Sequence, residues 1–395
     1  MGIYIFIYLY NAILAIAQIF VFKNKRMNLM LILGSFITIN LFSCLVYSNG
    51  GDWGLYQGMY LKIPPLSTLD FEKIFRYIKG NEFGTSLIMS VGKIYTNNYE
   101  IFKYILLTLI LMYIYIFLEK KTRYTLFVIS IYLSENLLPA FFEPILRQLL
   151  ALVIFLFAME DLIKKRKIYF FKVFLAYLFH SSAIILFPIF FVKRKIYKKK
   201  NLLILFLGLM MGIFILPEFI KIIVKNISYL NVYSYYLNSD RFIGKGLNLN
   251  RLVVLTIKII IFMIPIFYLN GKIKKRQTAT ILFYNLTILY VSIYILQQSV
   301  EILVRFNVYF NLFYFILVEK MIGKIKLRKN KLKVLGFFLI YFFLSYWKNI
   351  DTFKERYIPY TNYIVEILNN RDYKNQWEKI RKNKVMSDVL KWEKR

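Results

Sequence analysis

A handful of residues in this sequence could carry chemistry that an otherwise apolar chain has little reason to contain. Arg147 stands in Glu143-Pro144-Ile145-Leu146-Arg147-Gln148, and the only histidine, His180, stands in Phe179-His180-Ser181-Ser182-Ala183. Arg305 follows shortly after Gln297, Gln298 and Glu301. A guanidinium offers a planar, permanently charged fork to phosphate or carboxylate oxygens, and a neutral imidazole accepts a proton near neutral pH. Each residue also has a plainer reading. Arg147 can pair with Glu143, and Arg305 with Glu301, four residues away on the same helix face. His180 with its serines can cap a break in a helix.

A second set is carboxylates and rings. Asn49-Gly50-Gly51-Asp52-Trp53-Gly54 reads as a tight turn, followed by Tyr56 and Tyr60 at helical spacing. Glu82-Phe83-Gly84 and Asp240-Arg241 come later. Asp52 fits an Asx turn or a helix N-cap, and Glu82 fits charge complementarity at a helix N-terminus. Beside arginine and tyrosine, either carboxylate suits sugar binding and proton abstraction equally.

The elements that must position these groups are membrane spans. Of 395 residues, 59% are hydrophobic and 19% aromatic, against roughly 45–50% apolar in soluble domains. A span needs about 20 apolar residues. Ten segments qualify: 3–22, 27–47, 99–118, 124–138, 144–163, 201–217, 251–270, 277–298, 302–319 and 332–348. The chain is therefore expected to be an all-α, polytopic membrane protein, with a transmembrane domain over 1–349 and a charged tail over 350–395. Segment 3–22 reads as the first span and not as a cleaved signal, because no basic region precedes it and no small-x-small site follows. Ionisable groups at membrane depth are costly and mark function, which singles out Arg147, His180 and Arg305.

Charge fixes the orientation. The net charge of +33 lies in short clusters between apolar runs: Lys23–Arg26, Lys120–Arg123, Lys164–Lys167, Lys193–Lys200, Lys272–Arg276 and Lys320–Lys333. Cytoplasmic loops carry such clusters, and anionic membrane lipids are their natural partner. A nucleic-acid partner would want one continuous basic face instead. Segment 168–192 is decisive: as a single span it would invert every later basic loop. As two half-length helices that dip in and return, with His180-Ser181-Ser182 at the tip, it keeps all of them inside. Such a re-entrant pair must be surrounded by protein or line a cavity. Loops 48–98, 218–250 and the tail then face outside, with 69–79 and 82–95 as short amphipathic surface helices.

Several chemistries are absent. There is no phosphate-binding Gly-x-x-x-x-Gly-Lys loop, no His-Glu-x-x-His zinc pair and no Gly-x-Ser-x-Gly elbow. The single cysteine, Cys44, lies in an apolar run and excludes an intramolecular disulfide.

Gly50-Gly51-Asp52-Trp53-Gly54-Leu55-Tyr56, then Glu82-Phe83-Gly84, then Arg147-Gln148-Leu149-Leu150-Ala151, then Phe179-His180-Ser181-Ser182-Ala183 with Pro188, occur in the order seen in EpsG-type proteins. These resemble the Wzy-type polymerases of exopolysaccharide, capsule and O-antigen assembly. The resemblance implies an inverting, metal-independent glycosyltransferase of GT-C-like architecture in the bacterial cytoplasmic membrane. It would join undecaprenyl-diphosphate-linked oligosaccharides on the outer face. No cofactor is implied beyond that carrier lipid, and a flippase and a chain-length regulator would be its companions. On this resemblance Arg147, Arg305 and Arg241 stabilise the departing diphosphate, with Gln148 beside them. His180 is the first choice for the base, with Asp52 or Glu82 next, and Tyr56, Tyr60 and Trp53 offer stacking surfaces. An O-antigen-type ligase and a flippase for the same lipid-linked sugar are the rival readings. The flippase is disfavoured by the lack of a second interrupted segment to match 168–192.

Overall fold

The computed structural model describes residues 1–21, 24–49, 52–68, 72, 82–137, 140–141, 145–226, 249–352, 354–358 and 360–369. Among these, every regular element is helical, and the one extended pairing is an isolated antiparallel bridge between Val46 and Asn362. The predicted helix at 69–79, Glu143, Asp240, Arg241 and the end of the tail fall outside the described residues, apart from residue 72.

In chain order the helices are α1 (Gly2–Phe20), α2 (Lys25–Ile39), α3 (Trp53–Lys62), α4 (Phe83–Tyr95), α5 (Tyr99–Lys121) and α6 (Thr125–Tyr132). They continue with α7 (Leu146–Lys164), α8 (Ile168–Phe179), α9 (Lys199–Asn226), α10 (Leu249–Leu269) and α11 (Thr278–Leu296). The last are α12 (Val304–Asn307), α13 (Asn311–Gly323), α14 (Arg328–Thr352), α15 (Lys354–Tyr357) and α16 (Tyr363–Leu368). Six helices of the described residues are long and apolar enough to cross a membrane: α1, α2 with its π-helical extension to Cys44, α5, the Lys199–Ile220 part of α9, the Arg251–Leu269 part of α10, and α11. Glu301–Asn307 and Asn311–Gly323 form a seventh if their 57° bend is counted within one span. The other three predicted segments are helical but differ in kind. α6 is short and runs into a π-helical turn at Leu133–Leu137. α7 and α14 have the length of a span, but they carry charged residues such as Asp161 and Lys348.

Local chemistry explains the boundaries. α5 begins where the Asn98 side chain accepts from the backbone N–H of Glu100 (2.9 Å) and Ile101 (3.4 Å). It places Glu100 in its first turn and Lys120 and Lys121 in its last, the arrangement that the helix dipole favours. Its 23 residues extend about 35 Å at 1.5 Å each, enough for a hydrocarbon layer of roughly 30 Å.

The chain divides into two compact units: Met1–Val153 with Leu178–His180 and Lys329–Arg395, and Ile154–Tyr177 with Ser181–Arg328. In the first, α1 packs against α2 and α6. Leu107, Leu111, Ile114, Phe127, Val128 and Ile131 are fully buried there. Buried hydrogen bonds stitch these helices together. Ser35 Oγ donates to Asn11 Oδ1 (2.5 Å) and pairs with the Tyr115 hydroxyl (2.7 Å), and Gln18 accepts from the Leu126 N–H (3.0 Å). Such interhelical bonds are worth about 0.6 kcal/mol each in a bilayer.

Within the second unit the segment around 168–192 doubles back. The Tyr169 hydroxyl donates to the Leu186 carbonyl (2.7 Å), Phe170 lies 4.7 Å from Phe190, and Lys165 Nζ donates to the Phe190 carbonyl (2.5 Å). Arg194 then donates to the carbonyls of Leu162 and Ile163 at the end of α7. The basic runs 164–167 and 193–200 therefore lie at the same end of this hairpin. α8 forms its first arm, and a 3₁₀ stretch, Ser181–Phe191, forms its second.

Candidate active site

α3 and α4 build one wall of the site. On α3, Trp53, Tyr56 and Tyr60 recur at helical spacing and are all buried. Trp53 Nε1 donates to Glu100 Oε1 (2.6 Å). The buried Lys103 bridges Glu100 Oε2 and the Val46 carbonyl, both at 2.6 Å. Tyr60 donates to the Thr96 carbonyl (2.6 Å) and stacks on Phe102 (4.7 Å). Thus α3 is tied to α5 at Trp53 and, through the Tyr60 ring, at Phe102.

α4 starts at Glu82, which occupies the N-cap position. Its carbonyl accepts the first helical bond from Ser86 N (3.2 Å), while its carboxylate makes no cap bond. The carboxylate is used elsewhere. Arg147 Nη1 donates to Glu82 Oε2 at 2.6 Å, and His180 Nδ1 lies 2.6 Å from Glu82 Oε1. Arg147 Nε donates to the Tyr56 hydroxyl (2.9 Å). One carboxylate thus holds a guanidinium and an imidazole that are 33 residues apart in sequence.

What lets His180 reach Glu82 is Gly84. A Cβ at Gly84 would lie 2.8 Å from the Phe179 ring, so only a glycine admits that ring at this point. Thr85 Oγ1 adds a long bond to the Phe179 carbonyl (3.5 Å). The Glu-Phe-Gly and Phe-His elements are therefore two halves of one packing contact.

Electrostatics sets the protonation pattern. Burial pushes the Glu82 carboxyl up, but the His180 hydrogen bond and the Arg147 and His180 charges outweigh it and hold it below its ordinary value of 4.5. An ionised carboxylate only accepts, so Nδ1 of His180 carries the proton and donates it. Nε2, the other ring nitrogen, is the one turned away from Glu82 and available to a substrate. Burial raises the Tyr56 phenol, and Arg147 draws it back only in part. Among the described residues, Nε2 of His180 and Nη2 of Arg147 make no hydrogen bond. The three side chains are partly open, at 28% for Arg147, 18% for Glu82 and 10% for His180.

The expected site residues sort as follows. Tyr56, Glu82, Arg147 and His180 come together. Gln148 is buried next to Arg147 in the first turn of α7. Asp52 stands at the N-cap of α3 without a side-chain cap bond, one turn before Tyr56. Trp53 and Tyr56, expected as open stacking surfaces, are only 4% and 1% exposed, their polar atoms serving Glu100 and Arg147. Arg147 makes its ion pair with Glu82, a partner remote in sequence. Arg305 lies on α12 in the second unit and is exposed there. Among the described residues no cluster of three or more His, Cys, Asp or Glu side chains could hold a metal ion. Glu100 and Lys103 were not anticipated. Their signal is an opposite-charge pair three residues apart in the first turn of an apolar helix.

The cluster combines a cation able to meet an anionic group with an imidazole oriented as a base, in a multi-pass helical membrane protein. The chain belongs to the EpsG family, whose model it matches over residues 27–362, a stretch containing every residue of the cluster. Membership points to a membrane polysaccharide polymerase of glycosyltransferase type. No curated protein and no solved structure matches the chain.

Proposed function

We propose that this protein polymerises undecaprenyl-diphosphate-linked oligosaccharide units on the outer face of the bacterial cytoplasmic membrane. The observation that carries the reading is the sharing of Glu82 by Arg147 and His180. In the proposed step an acceptor hydroxyl oxygen attacks C1 of the donor sugar. The C1–O bond to the diphosphate breaks, and its electron pair leaves with the diphosphate oxygen. The hydroxyl proton passes to His180 Nε2, and Glu82 stabilises the imidazolium that results. Arg147, through its free Nη2, meets the charge developing on the diphosphate; donors aimed at developing charge in a low-dielectric site are the strongest single aid to such a step. A single displacement inverts the anomeric centre, and no metal takes part. Arg305 and Arg241 are proposed as further diphosphate contacts, and Asp52 as an acceptor for sugar hydroxyls.

This reading takes up the ten-span, GT-C-like arrangement, with α6, α7 and α14 as spans that carry charge at or near their ends, and the hairpin at 168–191 as the re-entrant pair. It is supported by the hairpin's return to the end of α7.

The test is a deletion strain with and without a plasmid copy, its surface glycans and undecaprenyl-linked intermediates separated by size. Single repeat units persisting on lipid while long chains vanish is the expected result. Long chains stranded on the carrier would make the protein a ligase, and unit-length intermediates trapped on the cytoplasmic face would make it a flippase.

A further inference from the structure

The step above leaves one buried charge pair of the first unit unused. Lys103 is 0% exposed and Glu100 5%, and both stand near the start of α5. Lys103 Nζ donates to Glu100 Oε2 and to the Val46 carbonyl, each at 2.6 Å, and lies over the Tyr99 ring (5.9 Å). Taking two charges out of water offsets most of their attraction, and an apolar pair of similar volume is often as stable or more so. Stability is therefore a poor reason for this pair.

What the pair holds is the entry to α3. The second oxygen of Glu100, Oε1, accepts from Trp53 Nε1 at 2.6 Å, and Trp53 is the first residue of α3. Val46, whose carbonyl Lys103 fixes, lies in the segment that leads to Asp52 and Trp53. Three residues after Trp53, the Tyr56 hydroxyl accepts from Arg147 Nε (2.9 Å). A line of contacts thus runs from Lys103 through Glu100 and Trp53 to the turn of helix that carries Tyr56, and from its hydroxyl to Arg147.

α3 needs such a tie. It has 10 residues, two of them glycine, and a helix this short is marginal alone. Asp52, at its N-cap, makes no cap bond. Its far end is held separately: Lys93 Nζ donates to the Leu61 and Ile63 carbonyls (2.8 and 2.7 Å), and Tyr60 to the Thr96 carbonyl (2.6 Å). A neutral acceptor could also receive the Trp53 proton. A carboxylate whose other oxygen is fixed by an ammonium does so in one orientation, with the shorter and stronger bond that a charged group makes.

We propose that Glu100 and Lys103 are positioning residues for Arg147. The pair sets Trp53 and the N-terminal end of α3, and through them the Tyr56 hydroxyl that aims the guanidinium. The consequence for glycosyl transfer rests on the polymerase reading; the effect on Arg147 does not.

The experiment compares wild type, the double variant Glu100→Leu with Lys103→Met, Trp53→Phe and Lys93→Met, each as the full chain in nanodiscs. Melting temperature is measured, and the rate at which phenylglyoxal modifies Arg147 is read by peptide mass spectrometry. Polymer per unit of membrane protein is measured in the deletion strain carrying each variant. The double variant should melt no lower than wild type, because apolar side chains replace both charges. Its Arg147, released by Tyr56, should be modified several-fold faster. Its polymer should fall by up to about 10²-fold, the effect of a misplacement of about 1 Å. Trp53→Phe, which removes the indole donor and leaves both charges paired, should move the Arg147 rate and the polymer in the same direction. Lys93→Met, which loosens the other end of α3, should leave the Arg147 rate unchanged. A double variant with the wild-type Arg147 rate, whatever its melting temperature, overturns the proposal and leaves the pair a structural brace. Should the double variant fail to reach the membrane, Trp53→Phe decides the same question. A deletion strain with normal polymer would sink the polymerase reading, and the Arg147 rate would still decide this one.

Discussion

Glu82 does two jobs that are separable by mutation. Arg147→Ala should cut polymer formation roughly 10²–10³-fold, as loss of one charge-stabilising donor does, and Arg147→Lys should not restore it, because an ammonium cannot serve Tyr56 and Glu82 as a fork. His180→Ala should cost about 10²–10⁴-fold, the range of a lost general base. Both variants should reach the membrane at normal levels, which immunoblotting of membrane fractions checks; normal-length polymer from either would remove it from the site. Glu82→Gln should cost on the order of 10²-fold through misorientation of the imidazole, with Arg147 left without its ion pair. The pH dependence follows from the depressed Glu82 carboxyl. A lowered folded value means the contribution of Glu82 to stability is present above its ordinary 4.5 and is lost as pH falls through the folded value. The groups facing it are Arg147 and His180, so wild type should lose thermal stability on acidification below the ordinary carboxyl value of 4.5, and Glu82→Gln should show a flatter acid limb. At this scale the sequence singled out Arg147 and His180 as polar groups in apolar surroundings, and the structure brings both to one carboxylate. It did not show their partners. Glu143 offered Arg147 a local match four residues away, whereas the partner observed is 65 positions off, a separation that no helical spacing encodes.

At the level of elements, Gly84 is the joint between α4 and the end of α8. Gly84→Ala pushes a methyl into the Phe179 ring, an overpacking that costs about 1–3 kcal/mol and drives His180 away from Glu82. The expected outcome is a lower melting temperature and polymer reduced beyond what the loss of protein explains. Gly58→Ala is the control: nothing lies within 4 Å of its added Cβ, and alanine gains about 1 kcal/mol of helix propensity. If both behave alike, the joint has no functional weight. The long apolar helices were plain from hydropathy alone, whereas the interruption at His180 followed from charge balance, which a single span over 168–192 would have inverted. α3 was signalled only by the spacing of Tyr56 and Tyr60. The π-helical turn at Leu133–Leu137 left no trace, since hydropathy reads composition and not the ladder of backbone bonds.

The whole molecule can be tested for sidedness with unusual economy, because its one cysteine, Cys44, is fully buried. Lys198→Cys should react with a membrane-impermeant maleimide only after the membrane is opened, and Leu368→Cys should react in intact spheroplasts. Labelling of Lys198→Cys from outside would make 168–192 a single span. The tail itself was read as a charged appendage, yet its first part is built into the first unit. Tyr47 N donates to the Thr361 carbonyl (3.0 Å), Tyr363 N to the Leu45 carbonyl (2.8 Å), and the Tyr4 hydroxyl to the Tyr357 carbonyl (2.5 Å). Alternating polar and aromatic residues gave no period from which this docking could be read. The same contacts bear on how the protein is made. Tyr4 and Tyr8 enter the membrane with the first span, but the carbonyls that receive their hydroxyls belong to Tyr357 and Leu339. Those acceptors leave the ribosome more than three hundred residues later. While the rest of the chain is synthesised, the first helix waits in the bilayer without these two acceptors, and Leu45 and Tyr47 wait without their partners at Tyr363 and Thr361. A ribosome that stops short of residue 363 therefore releases a product whose opening helices are complete in sequence and incomplete in structure, a natural mark for quality control to recognise.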